Sequence, residues 1–220
     1  MRCAVVFPLV ALAACGGGGG EGDPGDRRPS RLVSAAARGD VGSVRRLLAD
    51  GAPVNTRDRD GRTAVTAAAL GDHVDVVRKL IDAGADVDLQ DAERNNPLLV
   101  CGITGNVAML REVLRAHPDL ARTNRYGGTA LIPASDRGHV EMVRALLQTD
   151  IDVDHVNRLG WTALLEAVIL GDGGRDHQEI VRILLAAGAD RSIPDRDGVT
   201  ALEHAQAKGY DELARILLAR

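Results

Sequence analysis

Asp60 to Ala92 reads DGRTAVTAAALGDHVDVVRKLIDAGADVDLQDA, and this stretch recurs along almost the whole chain at a fixed period. Thr63-Ala64-Val65 has counterparts at Asn96-Pro97-Leu98, Thr129-Ala130-Leu131, Thr162-Ala163-Leu164 and Thr200-Ala201-Leu202, in steps of 33, 33, 33 and 38 residues. Self-similarity at such a period marks an array in which each unit buries its apolar face only against its neighbours. In the unit that opens the array, Leu32, Val33 and Ala36, then Val44, Leu47 and Leu48, recur at three- and four-residue spacings, which places them on one face of each of two helices, about Arg31 to Arg38 and Val41 to Ala49.

Several features besides the period carry a family resemblance. They are the D-x-x-G turn from Asp58 to Gly61, the T-A-V/L helix start, the Gly138-His139 step between helices, and the closing Gly84-Ala85-Asp86 and Gly188-Ala189-Asp190. On these motifs the chain resembles the ankyrin-repeat family. The resemblance implies an all-α solenoid of about six helix-turn-helix repeats over residues 30–220, with short hairpin-like turns projecting from one edge. It also implies a binding scaffold and not an enzyme.

Composition fits an array. The chain is 45% hydrophobic but only 2% aromatic, so its core must be built from Ala, Leu and Val at short helix-to-helix distances. Its 27 basic side chains are scattered among 31 acidic ones, which does not indicate a nucleic-acid footprint. The first fifteen residues, MRCAVVFPLVALAAC, carry Arg2, an apolar run from Ala4 to Ala14 and small residues before Cys15. They read as an export signal over residues 1–14, too short for a spanning helix. Leu12-Ala13-Ala14-Cys15 resembles the lipobox of bacterial lipoproteins, which implies a lipid on Cys15 as the only membrane contact; an ordinary secretory leader with an incidental cysteine is the competing reading. Residues 15–29 are Gly-rich and polar, the composition of a flexible tether. The expected product is an exported, membrane-anchored monomer on the periplasmic or cell-surface side. With Cys3 removed and Cys15 lipidated, Cys101 is left without a disulfide partner.

Departures from the repeat are local. Ser30 after Pro29 is a suitable N-cap for repeat one. Asp72 replaces the glycine between helices in repeat two, Arg94 replaces the turn glycine in repeat three, and Ala116-His117-Pro118-Asp119 stands where Gly-Ala-Asp usually closes the unit. Pro133 falls in the first turn of its helix, where a missing N–H is cheap. Repeat five carries an insertion of about five residues between Leu170 and Ile180, whose glycines read as a flexible loop. Repeat six ends the chain as a cap.

Candidate chemistry is sparse. His73, His139 and His177 occupy one repeat position, so the repeat spreads them about 10 Å apart, too far to share a metal. The family resemblance makes them structural. Asp152-Val153-Asp154-His155 coincides with the repeat-closing segment of repeat two and supplies too few convergent oxygens for calcium. Cys101 aligns with the small core positions Ala68 and Ala134 and reads as inert. No metal or cofactor is expected. An enzymatic reading has only Asp172, Arg175 and His177 in the repeat-five insertion to draw on.

In the ankyrin family the turn tips and the exposed positions of each first helix touch the partner. Carried over, these are Arg59, Asp60, Arg62 and Leu70; Glu93, Asn95 and Thr104; Arg125, Tyr126, Asp136 and Arg137; Arg158, Leu159, Trp161 and Leu170; and Arg196, Asp197 and Val199. The energetic centre is expected at Trp161 with Tyr126, flanked by the insertion Gly171 to Asp176, because exposed aromatics dominate binding hot spots. The alternative for Trp161 is that it folds back over its own turn. A scaffold of this kind also suits an immunity or inhibitor role against a toxin or a neighbouring enzyme.

Overall fold

A computed structural model describes residues 30–219; the leader, Cys15 and the tether lie outside them. Twelve helices fill this span as six antiparallel pairs: α1 (Arg31–Ala37) and α2 (Val41–Ala49), α3 (Ala64–Leu70) and α4 (Val74–Asp82), α5 (Pro97–Thr104) and α6 (Val107–Leu114), α7 (Leu131–Asp136) and α8 (Val140–Leu146), α9 (Ala163–Ile169) and α10 (Arg175–Ala186), α11 (Ala201–Ala207) and α12 (Asp211–Leu218). Odd-numbered helices pack on odd and even on even, giving an inner and an outer row. Both the helix pairs and their boundaries follow the sequence period.

One core runs between the rows from Leu32 to Leu217. Ala64, Ala68, Ala130, Ala134, Ala163 and Ala167 are buried on the inner helices, where small side chains let the repeats approach. The limit is reached at Gly102 in α5, where an added methyl would stand 2.2 Å from the Ala130 carbonyl oxygen at the head of α7.

Four inner helices start from one device. The side-chain oxygen of Thr63, Asn96, Thr162 or Thr200 accepts the backbone N–H three residues on, which satisfies one of the donors a helix start leaves open. Repeat four departs from it because of Pro133. In the other repeats the carbonyl of the capping residue accepts the N–H four residues on, as Ala67 donates to Thr63 O at 2.9 Å. Pro133 has no N–H to give. The turn tightens, Ile132 N–H bonds Thr129 O at 3.3 Å, and the buried Thr129 hydroxyl finds no partner among the described residues. The proline therefore costs this helix its cap, a correction to the expectation that its position is cheap. Ser30 needs a similar correction: it stands at the head of α1, but its side chain makes no capping bond.

All three replacements of repeat glycines keep the glycine conformation, with φ of 61° at Asp72, 61° at Arg94 and 51° at His117. Such backbone costs an L residue about 1–2 kcal/mol.

Candidate functional site

Each tip is built by an Asx residue folding the chain back on itself. Asp58 Oδ1 accepts the N–H groups of Asp60 and Arg62, both at 2.9 Å, and Asp91, Asn124, Asn157 and Asp195 do the same in their repeats. Neighbouring tips are then laced together. Arg57 Nη1 donates to Gln90 O at 2.6 Å, Gln90 Nε2 to Thr123 O at 2.8 Å, and Arg158 Nη1 to Arg125 O at 3.1 Å, while Arg196 reaches the Arg158 carbonyl. Arg158 and Arg196 are thus struts between tips as well as exposed cations, a role that sequence position alone did not assign.

This edge shapes a groove of about 710 Å³ across repeats two to four, and Asp60, Arg62, Leu70, Glu93, Asn95, Arg125, Tyr126 and Arg137 all line it. Leu70, 43% exposed, and Ile103 give it an apolar floor. Arg62 pairs with Asp58 and Asp60 on one wall. On the other, Arg125 pairs with Glu93, donates to the Tyr126 hydroxyl at 2.7 Å and stacks its guanidinium 4.8 Å from the ring centre. Tyr126 is thereby held with half of its surface, 51%, in solvent. Arg137 has no carboxylate at ion-pair distance among the described residues and leaves a positive charge at the rim.

The remaining candidates lie apart from this groove. Arg59, Thr104, Arg158, Leu159, Leu170, Arg196 and Asp197 are exposed, and Asp136, Trp161 and Val199 are half-buried. Trp161 corrects an expectation, since its ring packs against the core instead of standing free. The insertion does not flank it either: Trp161 precedes α9 and Gly171 follows it, about 10 Å away along a seven-residue helix. Ile103 was missed, although it holds in repeat three the place of Leu70 in repeat two; the sequence reading chose Thr104, one residue on.

The histidines hold the stack. Through Nε2, His73 donates to Ala37 O at 3.2 Å, His139 to Ile103 O at 3.1 Å and His177 contacts Asp136 O at 2.9 Å, so each ties its repeat to the inner helix of the one before. In repeat six Tyr210 takes this place, donating from its hydroxyl to Gly171 O at 3.2 Å. The insertion is pinned rather than a free loop. Asp172 Oδ1 accepts from Gly174 N at 2.8 Å and lies 2.9 Å from His177 Nδ1, Gln178 Nε2 donates to Gly173 O at 2.8 Å, and Gly173 packs on the Tyr210 ring. With both ring nitrogens of His177 engaged by Asp172 and Asp136, the Asp172–His177 pair presents no free base to a substrate.

Other titratable groups are explained by packing. Burial pushes the Cys101 thiol up to about 12, which keeps it out of thiolate chemistry. Glu166, buried on α9, is pushed up to about 7, first by desolvation and then by the charge of Asp136, against a lowering from the Asn157 amide at 2.8 Å. Asp152 and Asp154 spend one carboxylate oxygen each on backbone, accepting from Asp154 N at 3.0 Å and Asp190 N at 2.9 Å, and His155 Nε2 donates to Gly127 O at 2.7 Å. Among the described residues no three His, Cys, Asp or Glu side chains are grouped to hold a metal.

The family model for ankyrin repeats in three copies matches residues 32–124, 98–192 and 154–220. The chain belongs to the ankyrin-repeat family, and its fold is in general a non-enzymatic protein-interaction module. It is similar to a solved ankyrin repeat domain from Acinetobacter baumannii AYE, at 46% identity and a TM-score of 0.82 over 85% of this chain and 95% of that one. It also resembles "Putative ankyrin repeat protein YahD" of Escherichia coli (strain K12), 46% identical over 55 residues; the match spans 25% of this chain and 27% of that protein. A third likeness, at 22% identity and a TM-score of 0.74 over 86% of this chain and 96% of that one, is to a chain in the complex of the Bd0816 predatory endopeptidase from Bdellovibrio bacteriovorus with immunity protein Bd3460. That last likeness shows the fold alone.

Proposed function

We propose that this protein is an exported scaffold, tethered to a membrane by a lipid on Cys15, that binds another protein through the groove between its turn tips and inner helices. One observation supports the binding reading: eight of the eighteen candidates drawn from repeat positions alone line a single groove, with Leu70 and Tyr126 exposed beside the charge of Arg137. Aromatic and arginine anchors beside an apolar floor are the make-up of binding hot spots. The lipobox-like Leu12 to Cys15 and the Gly-rich stretch after it support the tether. An inhibitor or immunity role uses the same face and is supported by its preorganised tips; it differs in calling for a tight, long-lived complex with one enzyme or toxin.

The experiment is capture from membranes with the intact protein, followed by identification of what co-purifies and measurement of its dissociation rate. A partner lost on Arg137→Glu supports the groove. In parallel, Cys15→Ser moves the protein from the membrane to the soluble fraction; equal retention of both forms contradicts the tether.

A further inference from the structure

The described array begins on a face of its own, at repeat one. Repeat one packs on repeat two through α1 against α3 and α2 against α4, and no described helix covers its other side. On that side lies a cleft of about 350 Å³ between α1 and α2, lined by Arg31, Arg38 and Arg46 with the Ser34 and Ser43 side chains. All three arginines are exposed, as is Arg45 beside them. Asp50 also lines the cleft. Asp40 is spent on the helix, where its Oδ1 accepts Ser43 N–H at 2.8 Å as the cap of α2.

The charge here is opposite to that of the rest of the array. Residues 30–50 hold four arginines against two aspartates, whereas residues 51–220 hold 20 basic against 26 acidic side chains; the tether before them carries Glu21, Asp23 and Asp26 with Arg27 and Arg28. Three guanidiniums and two hydroxyls lining one cleft supply the donors a phosphate takes, since it accepts forked hydrogen bonds from arginine. Solvating a terminal repeat needs polar residues of either sign. It does not call for one sign concentrated at one end.

We propose that this end face seats the phosphate of anionic phospholipid headgroups and docks the solenoid end-on to the membrane surface. The choice of a lipid over a soluble phosphate rests on the tether reading, because a tether of 15 residues reaches at most about 50 Å from Cys15 and enters the array at this face. Basic clusters beside a membrane attachment point are drawn to anionic leaflets by the surface potential.

The test uses the chain from Gly16 to Arg220, which holds the entire core but neither the apolar leader nor Cys15, so its outcome does not depend on the anchor. Co-sedimentation is measured with vesicles of phosphatidylcholine alone and of phosphatidylcholine mixed with phosphatidylglycerol, at low and high salt. Binding is expected only to the mixed vesicles at low salt. Arg31→Gln, Arg38→Gln and Arg46→Gln together lower it at least about tenfold, the three lysine replacements, which keep the charge but lose the fork, lower it by less, and Arg94→Gln, Arg111→Gln and Arg175→Gln together leave it within about twofold because net charge alone is not the cause. Inorganic phosphate is expected to compete more strongly than sodium chloride at equal ionic strength; no binding by the unaltered chain, equal loss in both glutamine triples, or competition by phosphate no greater than that of sodium chloride overturns the proposal.

Discussion

Helices α7 and α11 begin with the same Thr-Ala-Leu signature or its near copy, yet they are held differently. In repeat six, Thr200 accepts Glu203 N–H while the Glu203 carboxylate returns to Thr200 N at 2.7 Å, a complete capping box, and Asp195 meets His204 Nε2 at 2.7 Å. Repeat four has the Thr129 hydroxyl without a partner among the described residues and Pro133 in the place of His204. The difference follows from Pro133 and not from position in the stack, since the inner helices of repeats two, three and five keep their caps while α1, at the start of the described array, lacks one. Repeat four is packed by a neighbour on each side and tolerates the lost cap, just as repeats two and three tolerate Asp72 and Arg94 at φ 61°.

The largest test breaks the internal packing. Gly102→Ala pushes a methyl into the Ala130 carbonyl and should destabilise the array by about 3 kcal/mol, lowering its melting temperature by roughly 6–12 °C. A shift under about 2 °C would mean that α5 and α7 are not in close contact.

Next is the buried carboxyl of repeat five. Asn157–Glu166 occupies the positions of Asp195–His204, but no cation answers it. Its folded pKa, about 7, stands above the ordinary value of 4.5. The folded state therefore binds the proton more tightly, so stability is full below about pH 4.5 and falls as pH rises toward 7, by on the order of 2 kcal/mol. Glu166→Gln keeps the Asn157 hydrogen bond and should remove this part of the slope in urea titrations run across that range. An unchanged slope would assign the pH dependence to other groups.

A smaller effect restores the missing cap. Pro133→Ala returns an N–H to Thr129 O and frees the Ile132 N–H for the Thr129 hydroxyl. Two bonds form and the one that Ile132 N–H makes to Thr129 O is given up, a net of one bond at about 1 kcal/mol against the lost stiffness of proline, about 0.4–1 kcal/mol. The net expectation is a gain of up to about 0.5 kcal/mol in thermal or chemical unfolding, and a loss would show that the proline ring itself packs usefully.

The period made the twelve helices, their inner and outer rows and the structural histidines legible, because each is fixed by a residue type recurring at one repeat position. The αL residues were legible for the same reason, as absences of an expected glycine. What escaped was anything that depends on contact between repeats. Trp161 stands in a turn, where a large ring reads as free for a partner, yet it packs against the core; the glycines of the insertion suggest freedom, yet Asp172, His177 and Tyr210 pin them. Arg158 and Arg196 read as cations for a partner and are found also bracing the tips. The groove itself was legible only as separate residues, since its floor at Ile103 comes from the register of α5 against its neighbours.

The central claim is that binding is carried by the free aromatic of repeat four and not by the half-buried one of repeat five. Its most direct test is the affinity of Tyr126→Ala and Trp161→Ala for the captured partner, each paired with a thermal melt. Tyr126→Ala is predicted to weaken binding by about 2 kcal/mol, roughly thirtyfold, with an unchanged melt, whereas Trp161→Ala lowers the melt and leaves affinity within about threefold. Unaltered affinity in Tyr126→Ala, with binding abolished and the melt preserved in Trp161→Ala, would contradict the account and move the binding face to repeat five.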